Sequence, residues 1–379
     1  MKIVFITTSL SVGGAELMLL KLLQKINRSR FDPLVISLRT KDEVGLCIEE
    51  LGIPVFALNI KPSLPSPLQV LALVKYLRCL EPDLVQTWMY HADLLGGLAA
   101  RLAGCHRVVW GVRNSNLDAK QTKHSTIMIV KLCAALSSWL PEKILSCSKR
   151  AAEVHTAVGY ALEKIHVIPN GFDLTRFQPD IAARKSLRLE LGLLPDTQLV
   201  GFMARFDPQK NHFGFLEAAA RIRQNIPGIH FILAGVQIER SNSRLLEAIR
   251  AAGVSECMHL LGRRDDMPRL MAALDVLASP SSFGEAFPNV LGEAMACGVP
   301  CVVTDVGDSA LIVGETGRVV AVGDMVGLAN AVCDFLLRPE AENVAIASAA
   351  RERVAKLFDI QAVVGQYESF YEALLSTGE

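Results

Sequence analysis

Short apolar segments rich in β-branched residues alternate with helix-length amphipathic segments along almost the whole chain. The apolar segments are Lys2–Thr7, 33–38, 54–58, 83–87, 107–112, 143–147, 199–204, His230–Ala234, 258–261, Val276–Ser279 and Cys301–Thr304, and helical patterns such as 15–26, Pro67–Leu80 and 92–103 separate them. Strands this apolar are typical of parallel sheets that helices cover on both faces. The alternation therefore predicts an α/β fold.

The alternation pauses once, at residues 165–179, where an Asn-Gly pair and two prolines interrupt it. A chain of 379 residues exceeds one ordinary core, and 51% hydrophobic composition supplies enough apolar side chains for two. We therefore predict two doubly wound units joined near residues 166–190. Ligands of such folds bind beyond the carboxyl ends of the strands, so we expect a site in a cleft between the units.

Several familiar enzyme motifs are absent from the sequence. No two glycines are separated by a single residue, which excludes the dinucleotide fingerprint, and no two aspartates are separated by a single residue, which excludes an Asp-x-Asp metal clamp. The chain also lacks the nucleophile elbow, the phosphate-binding loop of nucleotide hydrolases and the zinc-protease signature. Usual nicotinamide, nucleotide-hydrolysis, serine-nucleophile and zinc functions are therefore not expected.

Cysteine use and hydropathy predict a cytoplasmic protein. The nine cysteines are scattered, and Cys297 and Cys301 flank a turn rather than forming a zinc ligand pair, so most should be small core residues in a reducing compartment. The amino-terminal segment is too short and too soon polar for a signal peptide. The apolar stretch 126–140 is shorter than the roughly 20 residues that span a bilayer.

Charge is balanced overall but divided unevenly between the halves. Residues 1–165 carry 20 basic and 13 acidic side chains, a net of +7, and residues 166–379 carry 19 and 26, a net of −7. The asymmetry indicates an anionic partner for the first half, including an anionic membrane surface, or simply unrelated solvated faces. The balanced total gives no reason to expect a nucleic-acid partner.

The segment 279–305 has the chemistry of a phosphate- and sugar-binding site. Pro288 suits the first turn of a helix and Gly298 its end, which predicts a helix over 288–297. Its first amides, those of Asn289, Val290 and Leu291, would bind an anion. Glu285 precedes this helix and Glu293 lies within it, and carboxylates accept hydrogen bonds from sugar hydroxyls. The alternative is two exposed acids around an ordinary helix.

Three further groups follow predicted strands. Gly13 and Gly14 could bring backbone amides close to a phosphate or an acceptor, or could form a plain turn. Arg205 and Lys210 could clamp a diphosphate, or could be solvated cations. His91 follows a strand near the same edge, although most lone histidines are structural or lie at the surface.

The spacing Glu-x7-Glu in EAFPNVLGEAMACGVP resembles the donor-site motif of retaining nucleotide-sugar glycosyltransferases of family 4. Five more segments match that family in order: SVGGAE, VIPNGFD, ARFDPQKN, LLGRRDDMPRLMAALDVLASPS and DVGDSALIVGETGRVV. The resemblance implies the GT-B fold, two Rossmann-like parallel-sheet domains facing a central cleft. It implies an acceptor-binding domain over 1–165, a donor-binding domain over 166–355, and a carboxyl-terminal segment 356–379 packed back on the first domain.

The resemblance also implies roles for particular residues. Arg205 and Lys210 would neutralise the leaving diphosphate, Glu285 would contact the transferred sugar, and Glu293 would hold the ribose. His91 would be catalytic, Arg263 would lie near the base, and further donor contacts would come from Gly13, Gly14, Phe287, Asn289, Val290 and Leu291. Many relatives have a histidine where Arg113 stands. Because arginine is no base at neutral pH, we expect Arg113 and Asn114 to bind the acceptor.

The activity so implied is metal-independent, cofactor-free transfer of a sugar, with retention, from a UDP- or GDP-sugar to an acceptor hydroxyl. A lipid-linked or polysaccharide precursor would suit the positive first domain, and would place the protein in the cytoplasm or at the inner face of the membrane. A sugar-nucleotide 2-epimerase of the same fold and a non-catalytic nucleotide-sugar-binding protein remain open. A retaining glycosidase would also use two carboxylates but would not need the Arg205 and Lys210 cations.

Overall fold

The computed structural model describes residues 1–60, 67–117 and 121–376. The chain forms two compact units. The first comprises Met1–Gly171 together with the chain from Ile360 onward, and the second comprises Phe172–Asp359.

The first unit is a seven-stranded sheet in which strands alternate with helices. Its elements are β1 (Lys2–Thr7), α1 (Gly14–Lys25), β2 (Asp32–Ser37), α2 (Asp42–Glu50), β3 (Val55–Ala57), α3 (Pro67–Leu80), β4 (Leu84–Trp88), α4 (Tyr90–Ala103), β5 (Val108–Val112), α5 (His124–Leu136), β6 (Lys143–Ser146), α6 (Lys149–Val158) and β7 (Ile165–Val167). The strand order is β3-β2-β1-β4-β5-β6-β7, and every pairing is parallel. The carboxyl ends of β1, β4 and β5 therefore lie side by side at the same end of the sheet.

The second unit repeats this plan with six parallel strands. Its elements are α7 (Ile181–Glu190), β8 (Leu199–Met203), α8 (His212–Asn225), β9 (His230–Ala234), α9 (Ser243–Ala251), β10 (Met258–Leu260), α10 (Met267–Ala272), β11 (Val276–Ser279), α11 (Asn289–Ala296), β12 (Cys301–Thr304), α12 (Ser309–Val313), β13 (Arg318–Val320), α13 (Met325–Leu336) and α14 (Glu340–Phe358). The order is β10-β9-β8-β11-β12-β13. The loops after β8, β11 and β12 therefore lie side by side at the carboxyl ends of these adjacent strands.

The last helix, α15 (Ile360–Ser376), completes the core of the first unit. Tyr367 and Tyr371 are fully buried, and Tyr371 makes edge-to-face contacts with Phe5 and Phe31. Aromatic side chains of this size bury much apolar surface, so the helix is an integral part of this unit rather than a tail.

The predicted strands agree with the structure to within one residue at either end. The unit boundary lies at 171/172 rather than 165/166, because Ile165–Val167 pairs with β6 as the last strand of the first sheet. The carboxyl-terminal segment begins at Ile360 rather than at 356, because α14 continues to Phe358. No helix in the described ranges is both long and apolar enough to cross a membrane.

Candidate functional site

The loop after β8 carries Arg205 and Lys210 in a fixed arrangement. Asp207 caps the single helical turn Pro208–Lys210 by accepting a hydrogen bond from the Gln209 amide at 2.9 Å. Burial alone would raise the pKa of Asp207, but this hydrogen bond and the Arg205 charge outweigh burial and lower it. Arg205 donates to Asp207 Oδ2 at 3.1 Å and to Gln209 Oε1 at 3.3 Å, yet its side chain stays 57% exposed. The guanidinium is therefore oriented and accessible.

Lys210 and Glu285 form an ion pair between the loops after β8 and β11. The Lys210 ammonium donates to Glu285 Oε1, and the Ser281 hydroxyl donates to the same oxygen at 2.8 Å. Glu285 is buried and Lys210 mostly so. Such a pair is sensitive to the loss of either partner, because the remaining charge would stay buried and uncompensated.

Backbone contacts lock the Glu285 loop to its neighbours. Gly307, after β12, has φ +63°, and a Cβ there would lie 2.0 Å from the Glu285 carbonyl oxygen. The Asp308 amide donates to the Ala286 carbonyl at 3.0 Å, and the Ser282 amide donates to the Gln209 carbonyl at 2.8 Å. Only glycine at position 307 allows the backbone to approach the Glu285 carbonyl this closely. The loops after β8, β11 and β12 therefore form one connected structure around Glu285.

Helix α11 begins directly beyond this loop, one residue later than predicted. Pro288 is its N-cap residue and supplies no side-chain cap. The Leu291 amide donates to the Pro288 carbonyl at 3.2 Å, so one of the three amides predicted to bind an anion is already used. Asn289 and Val290 open the helix, where amides and the helix dipole favour an anion.

The Phe287 ring lies in the core of the second unit. The ring is buried and stacks on Phe172 at 6.2 Å between centroids, with Phe358 edge-on at 5.4 Å. A Cβ on Gly292 would lie 2.1 Å from the Phe172 ring, so α11 packs against this cluster at close range. Phe287 thus anchors the start of α11, because its ring fills the core.

Glu293 and Arg263 lie on segments that follow two different strands of the second sheet, β11 and β10. Glu293 is the fifth residue of α11 and is partly buried. Arg263 is exposed in the loop after β10. That loop is held by Arg264, which donates to both Asp266 oxygens at 2.7 Å and to Glu190 at 2.9 Å. The backbone of the loop is therefore held in position, although the Arg263 side chain is exposed.

In the first unit, Gly13 and Gly14 form the start of α1. Gly13 is the N-cap residue with φ −155°, an extended conformation open to any residue. A Cβ there would lie 2.5 Å from Glu16 Oε2, so the Glu16 carboxylate folds back over the helix start. Burial raises the pKa of Glu16. The carboxylate is the end of a flexible side chain that could move aside, so neither this contact nor the backbone conformation requires glycine at position 13.

His91 is the second residue of α4, two positions after a strained residue. Met89, the N-cap residue, has φ +79° and ψ 154°, a region that side chains rarely adopt and that costs about 1–3 kcal/mol. Its amide donates to the Gly111 carbonyl at 3.0 Å, which helps to hold it there. Burial, with the nearby Arg39 charge, lowers the pKa of His91, so the imidazole is neutral at pH 7.

Arg113 lies inside the first unit, which argues against the predicted contact with an acceptor. Its guanidinium sits 3.8 Å from the centroid of the Trp88 ring and donates to Asn170 Oδ1 at 3.0 Å and to the Tyr367 hydroxyl. Both terminal nitrogens are thus engaged within the unit, where they link Tyr367 of α15 to Asn170 near the end of the Met1–Gly171 segment. Asn114 is half-buried, and its side-chain oxygen accepts from the Asn116 amide at 2.9 Å.

Sequence reasoning missed Asp93, which is fully buried two residues after His91 in α4. Its Oδ1 accepts from the Thr87 hydroxyl at 2.6 Å and from the Gly111 amide at 3.1 Å, linking α4 to the ends of β4 and β5. Burial raises its pKa to about 7. The sequence around it, HADLLGG, reads as ordinary helix and gives no signal for this role. Asp207, Gln209 and Ser281 lie in segments that the sequence analysis did single out, but their hydrogen bonds to Arg205 and Glu285 were not predicted.

Each sheet therefore gathers part of the predicted set. In the second unit Arg205, Lys210, Glu285 and the start of α11 are adjacent, and in the first unit Gly13, His91 and Asn114 follow the neighbouring strands β1, β4 and β5. Among the described residues, no three His, Cys, Asp or Glu side chains group as metal ligands. The site has the cations and helix start for a phosphate, and carboxylates for hydroxyl groups.

Comparison with known proteins agrees with this chemistry. Residues 12–176 match the family described as Glycosyltransferase Family 4, and residues 197–338 match Glycosyl transferases group 1. The chain is 30% identical over 268 residues to the UDP-Gal:alpha-D-GlcNAc-diphosphoundecaprenol alpha-1,3-galactosyltransferase of Escherichia coli, covering 69% of this chain and 68% of that one. It is 24% identical over 326 residues to the putative glycosyltransferase EpsF of Bacillus subtilis, covering 80% and 79%.

Among solved structures, HepE of Anabaena in complex with UDP superimposes with a TM-score of 0.86 at 26% identity, covering 98% of this chain and 100% of that one. The lipopolysaccharide glycosyltransferase WaaG has a TM-score of 0.75 at 16% identity over the full length of both chains, a likeness of fold. The predicted two-domain GT-B fold is thus confirmed. With both family models and a relative at this identity, the chain belongs to glycosyltransferase family 4 and is a glycosyltransferase.

Proposed function

We propose that this protein transfers a sugar, with retention of anomeric configuration, from a uridine diphosphate sugar to a hydroxyl of a lipid-linked or polysaccharide precursor. The observation that carries the proposal is the cluster in the second unit, where Arg205 is oriented beside the Lys210–Glu285 pair and the start of α11. The UDP bound to HepE supports the choice of nucleotide. The lipid-diphosphate acceptor in the name of the E. coli relative supports the acceptor class.

Each group in the cluster suits one part of the donor. Breaking the glycosyl–phosphate bond places negative charge on the departing diphosphate, which Arg205, Lys210 and the first amides of α11 would stabilise. Glu285 would accept from the hydroxyls of the transferred sugar, and Glu293 from the ribose. Because cations of the chain itself supply the positive charge, we propose that turnover needs no metal.

The proton of the acceptor hydroxyl would go to an oxygen of the departing phosphate on the same face of the sugar. This route gives retention and needs no base from the protein. Neutral His91 and Asn114, together with the amides at Gly13 and Gly14, would orient the substrates from the first unit. Arg113 has no direct part in this scheme, because it is engaged within the unit.

A thermal-shift screen of UDP, UDP-glucose, UDP-galactose and GDP-mannose tests the donor. A ligand at about 100 times its Kd stabilises the folded state by about 2.7 kcal/mol, so a true donor should raise Tm clearly and the others little. We expect the uridine nucleotides to do so. A rise with GDP-mannose alone, or with none of the four, would contradict the proposed donor.

Stereochemistry needs a separate measurement. We expect NMR of the product formed from the stabilising donor and an alcohol acceptor to show the anomeric configuration of the donor, in buffer containing a chelator. An inverted product, or turnover only after a divalent metal is restored, would contradict the mechanism above. The same spectra of donor without acceptor would reveal an epimerase.

A further inference from the structure

Helix α5 of the first unit is apolar on its outer face as well as on its inner one. Val130, Cys133 and Ala134 are buried against the unit. On the opposite side Met128 is 61% and Leu132 48% exposed, Ala135 is exposed, and Trp139, one turn beyond the helix, is 62% exposed. These four residues recur at intervals of four, three and four, so they form one stripe. A solvent-facing helix side is normally polar.

Cations lie along this stripe, which we call the α5 surface, and at its carboxyl end. Lys131 is exposed within it, Arg101 donates to the Trp139 carbonyl at 3.4 Å, and Lys164 donates to the Ser138 carbonyl at 2.5 Å. Helix α5 itself contains no acidic residue. The segment 123–143 carries Lys123, Lys131 and Lys143 against the single acid Glu142, and the two cations bonded to the end of α5, Arg101 and Lys164, add to this charge beside one more acid, Glu163.

We infer that the α5 surface docks the protein on an anionic lipid bilayer. An apolar stripe with a tryptophan and a rim of lysine and arginine is the arrangement that lies in the headgroup region, where the apolar side chains enter the lipid and the cations meet its negative charge. This docking deepens the proposed function, on which it rests: a lipid-linked acceptor lies in a membrane, and the α5 surface would bring the protein to that membrane.

A second copy of the chain is the other occupant to consider. A twofold contact would place the same basic rim against itself, and like charges brought together cost free energy. An anionic bilayer turns the same rim into an attraction that weakens with salt. Charge complementarity therefore favours lipid over a dimer.

Tryptophan fluorescence reports this contact directly, because Trp88 and Trp110 are fully buried and Trp139 is exposed. We expect vesicles of phosphatidylcholine with phosphatidylglycerol to shift the emission to the blue. Bromine-labelled acyl chains in such vesicles should quench it, and vesicles of phosphatidylcholine alone should have little effect. Emission unchanged by the anionic vesicles would overturn the inference.

Matched variants locate the surface. Met128→Ser with Leu132→Ser should weaken binding to the anionic vesicles at least about tenfold, or about 1.4 kcal/mol. Leu189→Ser with Leu194→Ser removes two still more exposed leucines of the second unit and should bind as the wild type does. Lys123→Glu with Lys131→Glu, which leaves the apolar residues in place, should weaken binding and flatten its salt dependence.

Equal loss in the leucine control would overturn the inference. A dimer of the wild type would also overturn it, if analytical ultracentrifugation without lipid detects that dimer and, among the variants, only the Met128/Leu132 variant abolishes it. Vesicle binding is measured without donor or acceptor, so its outcome does not depend on transferase activity. Turnover of a water-soluble acceptor without vesicles tests the proposed function alone, and the Met128/Leu132 variant should retain it.

Discussion

At the scale of single residues, Lys210 and Glu285 neutralise each other inside the second unit while Arg205 stays accessible. Lys210→Met should lower the free energy of unfolding by about 3–5 kcal/mol, because Glu285 would be left buried without its cation. Lys210→Met with Glu285→Gln removes both charges and should recover most of that loss, while kcat stays about 10²–10³-fold below the wild type. Urea unfolding and steady-state kinetics measure both effects. Equal instability of the single and double variants would refute the pairing.

Gly307 tests whether the backbone around Glu285 matters for turnover. Gly307→Ala would place a Cβ 2.0 Å from the Glu285 carbonyl oxygen, so the loop must shift, and we expect kcat to fall at least about tenfold. Gly323→Ala is the matched control, because Gly323 also has a positive φ, +85°, but nothing lies within 4 Å of its Cβ position. Both should lose about 1–2 kcal/mol of stability to the backbone conformation. Similar kcat values for the two variants would show that the contact has no role.

Asp93 predicts a pH dependence of stability. Its pKa is about 7 in the folded protein and 3.8 otherwise, so the stability it contributes is present at low pH and is lost as pH rises toward 7. Asp93→Asn keeps an oxygen for Thr87 and Gly111 but does not titrate. The unfolding free energy of the wild type minus that of the variant should fall between pH 4 and 7, by up to about 1.4 kcal/mol per pH unit.

Subtracting the unfolding free energy of the Asp93→Asn variant from that of the wild type cancels the contributions of the other buried titratable groups. Burial lowers the pKa of both His155 and His212 to about 4, so their contribution to stability rises with pH over the same range in both proteins. Urea unfolding at several pH values gives the comparison. A difference that is flat, or that rises with pH, would rule out the buried carboxyl as the cause.

At the scale of elements, α15 binds the first unit through its aromatic residues. Tyr371→Ala should cost about 3–5 kcal/mol, because it leaves a cavity against Phe5 and Phe31. Tyr371→Phe keeps the ring and loses only a 3.4 Å contact with Gln86, so it should cost little. Hydrogen exchange followed by segment should show the alanine variant losing protection in the first unit alone. Loss spread equally over both units would contradict the assignment of α15.

The elements themselves were largely predictable, because their signals are local. Apolar runs of four to six residues located most strands to within a residue, including the three-residue strands Val55–Ala57 and Met258–Leu260. Two other strands of that length, Ile165–Val167 and Arg318–Val320, were not predicted; the first begins the segment 165–179, whose prolines and Asn-Gly pair indicate a joint rather than a strand. The positions of Arg113 and Phe287 could not be predicted. Their partners Tyr367 and Phe172 lie far away in the chain, and only the folded structure shows that they bury these side chains.

At the scale of the whole molecule, the two halves differ in charge and in chemistry. The half with net charge +7 contains the neutral His91 and the α5 surface, and the half with net charge −7 contains Arg205, Lys210 and the start of α11. A diphosphate site in the acidic half must therefore depend on these particular cations, because the surrounding charge does not favour an anion. Removing one of these cations should therefore have a large effect on nucleotide binding.

Calorimetric titration of UDP into the intact chain tests this claim most directly. Arg205→Ala should weaken UDP binding about tenfold or more, since a charge-assisted contact contributes about 1.5–3 kcal/mol. Arg221→Ala, which removes an exposed arginine paired with Glu217 on α8, should bind UDP as the wild type does. If Arg205→Ala binds UDP as tightly as the wild type, the diphosphate does not lie at this cluster and the proposed site is wrong.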